Sequence, residues 1–160
     1  MSQEEEFTAT IKQHEGIIYK ITRLYTQNLE DQQDLFQEIV YQLWKGFHSF
    51  RGEAKISTWM YRVALNTALM HLKKVNRRGT HVSLDGILLK QEQYDPIIEE
   101  RLKILYEKIK QLNDLDRALI FLYLEDKKYE EIALITGISS SNVGTRISRI
   151  KEKLRKKIKK

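Results

Sequence analysis

Residues 49–74 read SFRGEAKISTWMYRVALNTALMHLKK, and the organisation of the whole chain follows from them. A polar loop containing Gly52 runs into a stretch with helical periodicity that carries Trp59, Arg62, Asn66 and Lys73. At 100° per residue, Arg62, Asn66 and Lys73 fall within about 40° of one another, and Trp59 lies about 20° beyond Asn66. One helix face thus gathers an aromatic ring, a guanidinium, an amide and an ammonium. Single-stranded nucleic acid calls for that mixture: cations for phosphates, a flat ring for stacking, an amide for a base edge. The competing reading places Trp59 in the core and leaves the cations as a solvated face.

Composition supports the nucleic-acid reading. The chain has 160 residues, 41% of them apolar, with one Pro, seven Gly and no Cys. That suits one or two small helical domains, and it excludes disulfides and thiolate metal sites. The start, MSQEEEF, is acidic, and no apolar run reaches the ~18 residues of a membrane span, so a signal peptide and membrane insertion are not expected. A cytoplasmic protein is expected. The net charge of +6 is unevenly spread: residues 1–50 carry −4, 51–79 carry +6, 80–126 carry −4 and 127–160 carry +8. Two basic blocks separated by acidic ones suggest two nucleic-acid contacts, with the acidic blocks facing something else.

The periodicity predicts an all-α protein. Four helical segments fit the first half. Three have clear bounds, at 5–26, 29–46 and 56–75, and the fourth is no more than a short turn around 47–53. Ser57 or Thr58 stands near the start of the third helix, and Gly79 ends it. Residues 80–96 lack clear periodicity and close on Asp95-Pro96, a helix-start signal. They read as a flexible linker able to span about 55–60 Å if extended. Beyond it, helices are expected at 97–111, 114–125, 129–136 and 140–157, with Asn113 or Asp114 capping the second and Ser139 or Ser140 the fourth. The expected domains are therefore 1–79 and 97–160.

Residues 129–154, YEEIALITGISSSNVGTRISRIKEKL, have the anatomy of a helix-turn-helix. Ala133 is small where two helices cross, and Gly137 supplies the positive φ of a tight turn. Ile132, Ile138, Val143, Ile147 and Ile150 form the apolar side. Asn142, Thr145, Arg146, Arg149 and Lys153 form the opposite one. Amide and guanidinium groups near the start of such a helix read base edges, and later cations meet phosphates. An ordinary helical hairpin with a basic tail is the plainer alternative.

In the first half, DLFQEIVYQLW (34–44) places Asp34, Gln37, Glu38 and Tyr41 on one stripe, opposite the apolar one. Phosphates would repel such a stripe, which suits a protein partner better. Together these stretches resemble the extracytoplasmic-function sigma factors, the small members of the sigma-70 family. The resemblance rests on the DL-QE, FRG-E and TW-YR-A-N pieces of 34–74, which look like region 2. Residues 109–154 look like region 4.

The resemblance implies a non-enzymatic specificity subunit that needs no cofactor and binds core RNA polymerase and promoter DNA. Asp34, Gln37, Glu38 and Tyr41 would meet the clamp helices of the β′ subunit, and region 4 would meet the β flap. Phe50, Arg51, Trp59, Arg62, Asn66 and Lys73 would hold the single-stranded −10 element, with Phe50 and Asn66 lining the pocket of a flipped base and Trp59 and Arg62 supporting it. Asn142, Thr145, Arg146, Arg149 and Lys153 would read the −35 duplex, and an anti-sigma factor would be a further partner. Gly144 and Ser148 depart from the Arg or bulky residue of many relatives, so the −35 sequence read here cannot be borrowed from any of them. A stand-alone helix-turn-helix regulator is the alternative, but it would need neither the acidic stripe nor the face around Trp59 and Asn66. A helical enzyme has little support: the four His form no metal-ligand spacing, and Glu4–Glu6 reads as a disordered acidic run.

Overall fold

A computed structural model describes residues 2–78 and 95–158; the linker expected at 80–96 and the stop at Gly79 lie, apart from Asp95 and Pro96, outside the described residues. The described residues form seven helices and no strand: α1 (Gln3–Tyr25), α2 (Leu29–Phe47), α3 (Ile56–Arg78), α4 (Pro96–Ile109), α5 (Asp114–Leu124), α6 (Tyr129–Thr136) and α7 (Ser140–Ile158). The expected all-α class holds, and the bounds agree to within about one turn. The segment at 47–53 stays a turn, so the first half has three helices rather than four. The chain divides into two compact units, α1–α3 and α4–α7.

In the N-terminal unit each helix packs on the other two. Ile18, Ile21 and Leu24 of α1, Leu35, Ile39 and Leu43 of α2, and Met60, Ala64 and Ala68 of α3 are wholly buried. The four-residue step of α2 and α3 keeps one narrow stripe inward, and the alanines of α3 let its backbone come close to its neighbours. Asn28 caps α2, its side-chain oxygen accepting the Asp31 N–H at 2.9 Å. Its amide donates to Asp31 Oδ2 at 3.1 Å.

The N-terminus departs from expectation. Glu4, Glu5 and Glu6 are the first turn of α1, capped by Ser2, whose hydroxyl accepts the Glu5 N–H at 3.2 Å. Carboxylates at that position favour the positive end of the helix dipole, which is why the run is ordered as helix. The helix is broken in direction at His14 (φ −118°, ψ 17°), two residues before Gly16, its weakest helix former.

In the C-terminal unit α5 is the central rod, buried from Arg117 to Leu122. Ile109, Ile132, Ile135, Val143, Ile147, Ile150 and Leu154 close around it. Each boundary has its local cause. Asp95 accepts the Ile97 N–H at 2.9 Å, with Pro96 in the first turn. Asn113 rather than Asp114 caps α5, accepting the Asp116 N–H at 2.9 Å. Ser139 accepts the Asn142 N–H at 3.3 Å ahead of α7. Gly137 ends α6 at φ +80°, where a Cβ would be strained. Buried Arg117 donates from Nη2 to the Lys110 and Leu112 carbonyl oxygens at 2.9 and 3.3 Å. Its charge thereby satisfies the carbonyl end of α4.

Candidate nucleic-acid interface

The face predicted around α3 exists but is layered. Asn66, Arg62 and Lys73 are exposed, as is Arg51 in the loop before α3, while Trp59 and Phe50 are half-buried. Trp59 is not an open stacking plane. Its ring lies 5.2 Å from Phe50 at 35° and 6.5 Å from Phe47 at 45°. Its far edge is so close to α2 that a Cβ on Gly46 would sit 3.3 Å from Cζ2. Trp59 is held from below and offers Phe50 a floor. The loop can turn here because Gly52 takes φ +74°. The Ser49 and Phe50 N–H groups donate to Gly46 and Phe47 carbonyl oxygens at 3.1 and 3.2 Å, extending the end of α2.

The acidic stripe of α2 is less open than a fully solvated face. Tyr41 is exposed, but Asp34, Gln37 and Glu38 are half-buried. The reason is α3, which packs along that flank and brings His71 beside Asp31, Asp34 and Glu38. Burial lowers the pKa of His71 from its ordinary 6.5, against the pull of those three carboxylates and with a small push from Lys74. Its Nε2 is buried and accepts or donates no hydrogen bond among the described residues. No feature of the sequence pointed to His71, because helical spacing says nothing about which face of another helix it meets. Glu38 Oε1 accepts from the Gln42 amide at 3.1 Å. The Lys45 ammonium sits 5.4 Å from the Tyr41 ring centre.

On α7, Asn142, Thr145, Arg149 and Lys153 are exposed on one side, as predicted. Arg146 differs: its Nη1 lies 3.3 Å from Asp116 Oδ1 at the start of α5. That pair orients the guanidinium and offsets part of its charge. Gly144 has a packing reason, since a Cβ there would meet the Tyr129 ring at 3.3 and 3.5 Å. The small residue leaves room for the Tyr129 ring of the first turn of α6 against α7.

Among the described residues no cluster of His, Asp and Glu could hold a metal ion, and no helix is long and apolar enough to cross a membrane. The arrangement offers binding surfaces.

Comparison with known proteins gives the same division. Residues 10–78 match the family described as Sigma-70 region 2, and residues 102–154 match Sigma-70, region 4. The chain is 32% identical to the ECF RNA polymerase sigma-E factor of Haemophilus influenzae over 154 residues, covering 86% of this chain and 79% of that protein. It is 31% identical to the protein of the same name from Escherichia coli (strain K12), covering 80% of this chain and 74% of that one. Among solved structures the fold is similar to CnrH in complex with the cytosolic domain of CnrY, with a TM-score of 0.73 at 16% identity over 99% of this chain and 90% of that one. It is also similar to the sigma factor RpoE of Bartonella quintana in complex with the anti-sigma factor NepR, with a TM-score of 0.76 at 18% identity over 97% and 98% of the two chains.

Proposed function

The chain belongs to the extracytoplasmic-function sigma factors of the sigma-70 family and acts as a sigma factor of RNA polymerase; from that premise we propose which of its residues do the work. Residues 1–79 serve as the region 2 domain and 97–160 as the region 4 domain, joined by 80–96. Asp34, Gln37, Glu38 and Tyr41 meet the β′ clamp helices, and the C-terminal unit meets the β flap. Phe50, Arg51, Trp59, Arg62, Asn66 and Lys73 hold the single-stranded −10 element. Asn142, Thr145, Arg146, Arg149 and Lys153 bind the −35 duplex. An anti-sigma factor is a further partner, and the cytoplasm is the place of action. The chain supplies binding energy where the duplex must open, and no chemical step.

The observation that supports this assignment best is the pairing of exposed Asn66 and Arg62 with a Phe50 ring floored by Trp59. A duplex-only regulator has no use for an exposed amide on the same helix that braces the ring of a cationic loop. An extruded base needs both, because it must be stacked and its edge must be read. The −35 face is simpler: exposed polar and cationic groups at three- and four-residue steps, on one helix that a major groove admits.

The test is made in the assembled holoenzyme. With Asn66→Ala, permanganate reactivity of open-complex thymines is expected to fall and the preference at one −10 base to relax. Glu38→Lys is expected to weaken retention by core enzyme. Glu38 is the better choice than Asp34, whose Oδ1 is buried next to His71 and whose reversal would disturb the α2–α3 contact. Opening at the wild-type rate with unchanged −10 preference in Asn66→Ala would remove the pocket assignment.

A further inference from the structure

The helical segment ahead of the kink at His14 reaches the same aromatic layer from the other side. Phe7 is 9% exposed, and its ring stands edge-on to Trp44 at 5.1 Å and 64° and to Phe47 at 5.2 Å and 69°. Phe47 is the ring that touches Trp59, and Trp59 carries Phe50. At the tip of the same segment the Gln3 amide and His48 Nδ1 are 3.2 Å apart, joining the start of α1 to the end of α2. Two separate contacts therefore hold residues 3–13 against the root of the loop at 48–55. Phe7 lies outside the stretch that matches Sigma-70 region 2, which begins at residue 10.

We propose that Phe7 is a positioning residue for the single-strand site: it sets Phe47, and through Phe47 and Trp59 it fixes the height and tilt of Phe50. This rests on the reading of Phe50 and Asn66 as the −10 pocket. The physical case is that the two edge-on pairs have a directional preference that aliphatic packing lacks. Phe50 sits on Trp59 at 5.2 Å, so any shift of Phe47 beneath Trp59 is passed on to the height and tilt of Phe50. The direction change at His14 aims the segment at the aromatic layer while 15–25 remain committed to the core.

The experiment compares Phe7→Leu, Phe7→Tyr and Phe50→Ala in full-length chain assembled with core enzyme. Promoter opening is followed by permanganate, and −10 preference by single-base substitutions. Phe7→Leu keeps an apolar filling and removes the ring; it is expected to slow opening about tenfold and to relax preference at the base Phe50 faces. Core affinity and −35 duplex binding are expected to stay within about twofold, since those sites share no partner with Phe7. Phe7→Tyr, which keeps the ring, is expected to restore opening. Wild-type opening by Phe7→Leu alongside slow opening by Phe50→Ala would overturn the positioning role and leave the pocket standing. Wild-type opening by both would remove the pocket and the proposal together. Equal losses in core binding and opening would show a purely structural role, which also overturns it. Should Phe7→Leu fail to fold by tryptophan fluorescence, Gln3→Ala removes the outer tether without touching the core. Slower opening by that variant supports the proposal, and unchanged opening overturns it.

Discussion

The face proposed for single-stranded DNA is two layers deep, whereas the face proposed for duplex DNA is one helix wide. In the N-terminal unit Phe50 rests on Trp59, which lies against Phe47 and Gly46 of α2, while Asn66 and Arg62 are exposed further along α3. In the C-terminal unit Asn142, Thr145, Arg149 and Lys153 share one helix, and their spacing alone puts them on one side. The difference matches the two ligands. A duplex presents a regular groove that a rigid helix can enter, but an extruded base must be caught in a pocket, and a pocket needs walls from several elements. Changes beneath the surface should therefore matter in the first unit, and changes on the surface should dominate in the second.

The largest effect is expected at Trp59. Trp59→Ala removes the floor under Phe50 and the contact with Gly46, and it should destabilise the N-terminal unit by about 3 kcal/mol, near the low end for large aromatic truncations because the ring is only half-buried. Both tryptophans of the chain, Trp44 and Trp59, lie in this unit, so the remaining fluorescence of Trp44 follows its thermal unfolding. Wild-type stability in the variant would mean that the layer is not structural, and the contrast between the two faces would lose its basis.

Next in size is a surface change in the other unit. Arg149→Ala should lower −35 duplex affinity by about 1–3 kcal/mol, concentrated at one or two base pairs if the guanidinium reads a base and uniform if it meets a phosphate. Thermal unfolding should not move. Arg146→Ala should lose less, because Asp116 at 3.3 Å already engages that guanidinium in the free protein. Titration of wild type and both variants on one promoter fragment checks the order. A larger loss at Arg146 would show that the Asp116 pair presents the group to DNA rather than holding it back.

The smallest effect concerns the acidic flank of α2. Burial lowers the pKa of His71 below 6.5, so the folded unit prefers it neutral while the unfolded chain protonates it at 6.5. Its neutral state costs nothing above that pH. As pH falls below 6.5 toward the lowered folded value, the unfolded chain binds the extra proton and stability declines. The neighbours that face it are Asp31, Asp34 and Glu38, which temper the shift, and Lys74, which adds to it. His71→Gln should remove this part of the acid sensitivity, seen as a shallower fall of the fluorescence-detected unfolding temperature below about pH 6.5. Parallel curves for the two proteins would separate His71 from the acidic flank.

The same contrast governs how much the sequence could reveal. Helix bounds were legible because their causes are local: Asn113 caps α5 by accepting the N–H three residues on, Asp95-Pro96 opens α4, and Gly137 closes α6 in a left-handed conformation that favours glycine. The exposed polar side of α7 was legible for the same reason, since residues three and four apart on one helix share a face wherever that helix packs. Family-level motifs then gave the order of the two regions.

What spacing could not supply was the meeting of elements. It placed Trp59 beside Asn66, but not beneath Phe50. It drew the acidic stripe of α2 without the His71 that α3 brings beside Asp34 and Glu38. It gave Arg146 to the groove without Asp116, and it marked Gly144 only as a departure, without the Tyr129 ring that lies against it. It read the acidic start of the chain as disordered, when the helix begun there delivers Phe7 to Trp44 and Phe47. Periodicity and capping act over one turn of backbone and are written in neighbouring residues. Which ring lies under which loop depends on how whole helices pack, and that is decided by side chains tens of positions apart that touch only after the chain has folded.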